Sequence, residues 1–531
     1  MTQPWPCLLA LLSLACAQNT PEDDVPPDTG LPEQPACPED SELGVETADG
    51  CVLGTLWGDG EAFLGIPYAA PPVGSLRWVN PQPHPGWSTP HDGSQFGAMC
   101  VQAKDVPLSA VSAGDGEEDC LTLNIFRPID TDENSSYPIL FFTHGGSYEN
   151  GSGDSELYTA NPVLAESAIV VTHNYRLGPF GFLADNNELK GNQGLFDSYT
   201  ALQWVVDNAE NFGGNPDQLM VFGESAGAMT TCAFLTSPLT EGLFSAALMQ
   251  SIGCGWLQTP ASAAAVQGER MASTLGCTTG DLACMQALPA AEIVAALGPD
   301  ESYFAIVDET FVPEPVGQSI YTGAFHRVPV VAGVNADEGS MFVHHLGIDT
   351  PAALEENLRT TGGYFGISDL DTLVSMYSVA TYGDPQRAYD QFYGDIAFHC
   401  MTRFFLSNAS EYTDTYAYYF THEPSWIPFY PSLDGWGAYH SAELTYVFGT
   451  QQELLPEYEQ EFSRDLTDMW LSVAQQQPTL PSGAPWTPFS ESDSWWTDGG
   501  KMVELTPGGF EPLSGVKKAQ CDFIADQWWG S

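Results

Sequence analysis

Positive charge is scarce in this chain: 14 lysines and arginines stand against 69 aspartates and glutamates, a formal charge of -55 over 531 residues. The acidic residues are spread along the sequence and not gathered in one tail, so neither nucleic acid nor an anionic membrane surface is an expected partner. Self-repulsion of this kind weakens when salt screens it, which leaves two readings open: a protein suited to ion-rich surroundings, or one simply kept soluble by its charge. Long apolar runs are lacking too. The one candidate, Leu8 to Ala17, is too short to cross a bilayer and has the form of a secretory signal core. From Cys51 onward there is no internal repeat and no linker. Hydrophobic residues still make up 43% of the chain, ample for a large core.

No Lys or Arg precedes Leu8, so the amino terminus is the sole positive charge there. Two processing routes fit a leader over residues 1–17. Ala15-Cys16-Ala17 suits small-residue cleavage before Gln18, whereas Leu14-Ala15-Cys16 resembles a lipoprotein box in which Cys16 becomes the lipidated first residue. Ser13 departs from the aliphatic residue usual in such a box. The acidic, proline-rich stretch 18–42 reads as a tether holding a domain off a membrane, which favours the lipid anchor. Of twelve cysteines, two lie in the leader, and pairing among the others implies an oxidising compartment.

What is present begins with alternation. Short apolar runs at 138–143, 168–172, 218–222, 245–250 and 328–333 read as buried strands, and 195–208, 226–235 and 460–475 read as helices. That pattern predicts an α/β fold with a large, mostly parallel central sheet covered on both faces. Val221 to Thr231 reads V-F-G-E-S-A-G-A-M-T-T and sets Ser225 inside G-x-S-x-G, between an apolar strand and a small-residue helix. Alone, such a pentapeptide is often a glycine-rich turn. In a strand-turn-helix context the sharp turn lifts the serine oxygen clear of the sheet, and Gly223 and Gly227 keep neighbouring atoms away.

Nine blocks, in order, carry a wider likeness. They are F-L-G-I-P-Y-A-A-P-P-V-G-S-L-R-W (Phe63 to Trp78), E-D-C-L-T-L-N-I (Glu118 to Ile125), T-H-G-G-S (Thr143 to Ser147) and N-Y-R-L-G-P-F-G-F-L (Asn174 to Leu183). G-N-Q-G-L-F-D (Gly191 to Asp197), F-G-G-N-P (Phe212 to Pro216), G-E-S-A-G, N-A-D-E-G (Asn335 to Gly339) and Y-H-S-A-E-L (Tyr439 to Leu444) follow. Through them the region from about Glu46 to Trp529 resembles the type-B carboxylesterase and cholinesterase family of α/β-hydrolases. The resemblance implies one catalytic domain over 43–531 and a Ser-His-Glu triad working through an acyl-enzyme, with no metal or organic cofactor and a small-molecule ester as substrate.

The base of such a triad must be an imidazole, which accepts the serine proton and returns it near neutral pH. His344 and His345 lie too close to Glu338 to come from a separate loop, and His399 sits in an apolar run that suits a core role. His440 lies in a Gly- and Ser-flanked loop and matches the family's histidine block. For the acid, composition does not separate Asp337 from Glu338; the resemblance implies Glu338. It also places oxyanion donors on the N-H groups of Gly146, Ser147 and Ala226, Ser147 departing from the usual third small residue. Glu224 resembles the family's buried glutamate beside the nucleophile.

Family pairing implies bonds between Cys100 and Cys120, Cys277 and Cys284, and Cys400 and Cys521. Cys37 with Cys51 is a local expectation; Cys232 and Cys254 are either a pair beside the elbow or buried thiols. Between Cys100 and Cys120 the cholinesterase branch carries a tryptophan that holds a quaternary ammonium. The stretch here, V-Q-A-K-D-V-P-L-S-A-V-S-A-G-D-G-E-E-D, has no aromatic residue, so choline esters are not the expected substrates. Tyr148, Trp256, Tyr303 and Phe304 are candidates to line an acyl or alcohol pocket. A lipase or polyester hydrolase on the same triad is the rival within enzymes. A surface adhesion protein is the rival outside them, and it would not need all three triad positions filled.

Overall fold

Alternate side chains on one strand point to opposite faces, and in this molecule both faces are buried. Ile139 and Phe141 join one apolar cluster while Leu140 and Phe142 join the other; Leu219 and Val221 are divided from Met220 and Phe222 in the same way. A strand buried on both faces has no polar positions to alternate with, which is why these segments read as continuous apolar runs. Each such side chain contributes roughly 1.5–3 kcal/mol by leaving water.

The computed structural model describes residues 36–529 except 39–40, 42, 106–110, 133, 160–166, 186, 256–257, 299–300, 427–432 and 490–500. The leader with Cys16, nearly all of the tether, and Trp256 lie outside the described residues. Eleven strands form the main sheet: β1 Thr55–Trp57, β2 Gly60–Pro67, β3 Thr122–Pro128, β4 Tyr137–Thr143, β5 Ile169–His173, β6 Gly214–Glu224, β7 Ala246–Gln250, β8 Val330–Asn335, β9 Thr415–Phe420, β10 Lys501–Leu505 and β11 Pro512–Ser514. Across the sheet they run β11-β10-β9-β8-β7-β6-β4-β5-β3-β2-β1. From β5 to β10 every pair is parallel. Antiparallel strands finish both edges. A separate small sheet pairs Gly44–Thr47, Gly50–Leu53 and His91–Asp92.

Helices α1 Gln193–Asn208 and α2 Ala226–Thr236 cover one face with Leu195, Leu202, Val205, Ala228 and Cys232. Helix α3 Glu457–Ala474 covers the other with Phe462, Leu466, Met469 and Trp470. Its first turn carries Glu457 and Glu459, whose charge suits the positive end of the helix dipole. A third apolar cluster joins the helices that follow β8 to the terminal helix α4 Lys518–Trp529 through Leu358, Phe392 and Ile524. Among the described residues five disulfides form: Cys37–Cys51, Cys100–Cys120, Cys232–Cys254, Cys277–Cys284 and Cys400–Cys521. The Cys232–Cys254 bond removes the free-thiol reading and ties α2 to the segment after β7. No helix among the described residues is long and apolar enough to cross a membrane.

Candidate active site

The turn between β6 and α2 holds Ser225 at φ 56° and ψ -119°, backbone that an L-residue adopts only when its surroundings force it. The Ser225 N-H donates to the Gln250 carbonyl at the end of β7, at 2.9 Å. A Cβ on Gly223 would collide with the Gly227 backbone, and one on Gly227 would collide with the Thr143 carbonyl. The serine motif is therefore a packing solution as well as a chemical one. Ser225 keeps 8% exposure amid fully buried neighbours.

The loop after β4 lies directly against this turn. A Cβ on Gly145 would come 2.6 Å from Glu224 Oε2 and 3.1 Å from Ser225 Cβ. Gly146 follows at φ 102°, then Ser147 at 58° and Tyr148 at 60°. Among the described residues, the N-H groups of Gly146, Ser147 and Ala226 donate to no protein acceptor. For Ala226 the cause is general, since the first amides of a helix have no carbonyl behind them. Behind the loop the buried His144 donates from Nδ1 to the Gly145 carbonyl at 2.8 Å and stacks on Tyr175. Burial pushes its pKa down to about 4, so the ring is neutral near pH 7.

His440 is brought to the same place from the carboxy-terminal half. Glu338, just past β8, accepts from Asn335 N-H at 2.7 Å on Oε1 and contacts His440 Nδ1 at 2.6 Å through Oε2. Asp337 is otherwise engaged: its Oδ2 accepts from Ala438 N-H at 3.0 Å and its Oδ1 from Gln391 at 2.7 Å. The two adjacent acids thus divide the work, Glu338 on the ring and Asp337 on the strand-like segment that carries it. The far nitrogen, Nε2, lies 3.0 Å from Glu224 Oε1. Among the described residues no hydrogen bond joins the Ser225 hydroxyl to His440, although Glu224 is the residue next to Ser225. Phe342 and Phe398 close on the ring with centroids 5.0 and 4.8 Å away.

Two neighbours went unread in the sequence. Ser441 donates to Glu224 Oε1 at 2.6 Å. Glu443 is wholly buried and accepts from Gln250 Nε2 at 3.0 Å and Asn335 Nδ2 at 2.5 Å. Both stand in the Y-H-S-A-E-L block, where a second carboxylate three residues past the histidine was the available signal. Burial would lower the His440 pKa, but the charges of Glu224 and then Glu338 outweigh it and raise it to about 9. Burial, then Glu224 and Glu338, push Glu443 up to about 7. Burial likewise raises Glu224, against the pull of His440 and Ser441.

The remaining histidines stand elsewhere. His344 pairs with Asp390 at 2.7 Å, and His422 with Glu459 at 2.8 Å. His399 is buried in a π-helical turn, Asp395–His399, between Asp395 at 3.0 Å and the Asn335 carbonyl at 2.8 Å. Tyr148 and Tyr303 are buried in the main core, and Phe304 packs against it. Among the described residues no group of three or more His, Cys, Asp or Glu could hold a metal ion.

A mostly parallel sheet with a strained serine turn at the end of a central strand, and a histidine on the connection between the parallel strands β9 and β10, defines an α/β-hydrolase. Within that class the chain belongs to the carboxylesterase family, whose sequence profile matches residues 41–523. Its reaction class is carboxylic-ester hydrolysis. The para-nitrobenzyl esterase of Bacillus subtilis is 31% identical over 473 residues, covering 84% of this chain and 92% of its own. Human cocaine esterase is 31% identical over 485 residues, 82% of this chain and 83% of its own. The "crystal protein" of Dictyostelium discoideum is 30% identical over 475 residues, 84% of this chain and 85% of its own.

Proposed function

We propose that the chain is a serine carboxylesterase that works through an acyl-enzyme, with Ser225 as nucleophile, His440 as base and Glu338 as the acid that orients it. The observation that carries this reading is the 2.6 Å contact between Glu338 Oε2 and His440 Nδ1, both side chains buried, beside the Ser225 turn. Nε2 takes the hydroxyl proton as Oγ bonds to the ester carbon. For that step it must face Ser225 instead of Glu224. The oxyanion that forms is met by the unengaged N-H groups of Gly146, Ser147 and Ala226. His440 returns the proton to the departing alkoxide, which leaves as the alcohol. Water then attacks the acyl-serine with the same proton transfers, releasing the acid.

Neutral small-molecule esters suit the site better than choline esters, because the stretch between Cys100 and Cys120 offers no aromatic face to a quaternary ammonium. The five disulfides suit an extracytoplasmic location, and we propose attachment through a lipidated Cys16; mass spectrometry of the mature amino terminus tests this. Replacing Ser225 by alanine should lower turnover of p-nitrophenyl butyrate by roughly 1,000-fold or more and abolish labelling by an organophosphonate. Retained labelling or turnover would overturn the assignment.

A further inference from the structure

Ser441 stands at φ 73°, in left-handed backbone that glycine occupies freely and serine does not. Strain of this kind persists where the side chain has a use. Here the hydroxyl donates to Glu224 Oε1 at 2.6 Å, and that same oxygen lies 3.0 Å from His440 Nε2. On the other side of the ring Glu338 holds Nδ1. The imidazole therefore has a carboxylate at each nitrogen, and the one on the working side is steered by the residue next to the histidine itself.

Resting on the triad reading above, we propose that Ser441 is a positioning residue: its hydroxyl keeps Glu224 turned onto Nε2 and so sets how firmly the free enzyme holds a proton on His440. The other groups around the pair leave this adjustment to Ser441. Glu338 is fixed by the Asn335 amide, and Glu443 by Gln250 and Asn335. Tyr158, Tyr175 and Tyr418 feel the Glu224 charge, but burial keeps each of them neutral. Phe342 and Phe398 cover the ring and carry no charge. Burial already raises Glu224, and the Ser441 bond opposes that rise. Without the hydroxyl Glu224 gains a proton more readily, and the pull of its charge on the His440 proton weakens. Because only neutral His440 can accept the serine proton, the acid limb of activity should move to lower pH.

The test is the pH profile of kcat/KM on p-nitrophenyl butyrate for wild type, S441G, S441A, E224Q and E224Q/S441G. Glycine suits φ 73°, so S441G should melt no lower than wild type. We expect its acid limb to fall by about half a pH unit, roughly threefold in proton affinity, with S441A moving the same way. E224Q should move the limb at least as far, and the double variant no further than E224Q alone. An unmoved limb in S441G overturns the proposal, as does an equal shift in the E224Q background or loss of activity at every pH with native melting. S225A separates the two ideas: turnover by S225A removes the triad reading, whereas an inactive S225A beside an unmoved S441G limb removes only the role of Ser441.

Discussion

Four non-glycine residues held at positive φ, Ser147, Tyr148, Ser225 and Ser441, stand within one loop and two turns of the same site. Each costs on the order of 1–3 kcal/mol, so the site is built against the local preference of the chain. Ser225→Gly should accordingly be inactive yet more stable, by about 1 kcal/mol once the greater unfolded-state freedom of glycine is subtracted, as read by urea unfolding. Stability should also depend on pH from both sides. His173 is wholly buried, stacked on Phe141 at 4.7 Å, and burial followed by the nearby His144 pushes its pKa down to about 3. An unfolded chain binds protons at His144 and His173 from about pH 6.5 downward while the folded one does not, so stability falls as pH drops from 6.5 toward 4. His173→Phe should flatten that acid loss in melting curves. His440 and Glu443 act oppositely: their pKa values are raised, so their contribution is complete below the unfolded values and is lost as pH rises through about 7 and 9.

At the scale of elements, the joints that hold the site are polar and buried. Arg176 makes a two-pronged contact with Asp197 at 2.7 Å for each prong, tying the segment after β5 to α1. Arg176→Met leaves the Asp197 carboxylate, wholly buried, without its cation, and should cost about 3–5 kcal/mol in equilibrium unfolding. How much could be read beforehand follows from the same physics. Strands β4 to β8 were legible because burial on both faces leaves runs such as P-I-L-F-F-T. Strands β2 and β3 were not, because they carry Glu61, Asn124 and Arg127 inward. Those groups are satisfied by partners distant in sequence, Arg127 by Glu61 at 2.7 Å and Asn124 by the Gly65 amide at 2.9 Å. The serine turn announced itself because its constraint is local and steric. The contact of Ser441 with Glu224 joins positions 217 apart, and no spacing rule reports it.

Over the whole molecule several of the few cations are drawn inward. Arg77, Arg127, Arg176 and Arg403 are all buried, and Lys517 lies beside the buried Asp395 at 2.8 Å. The outer surface is left with little positive charge to offset its carboxylates, and what charge there is repels itself. The melting temperature should therefore climb as sodium chloride is added from low ionic strength to about 1 M, where the screening length is near 3 Å. A steady fall would contradict this. The bond between Cys37 and Cys51 adds a mechanical property. Tension applied through the residues ahead of Cys37 is received at Cys51 in the small sheet, which is separate from the eleven strands. A pull from that side therefore meets the small sheet before it meets the strands that lead to Ser225 and His440.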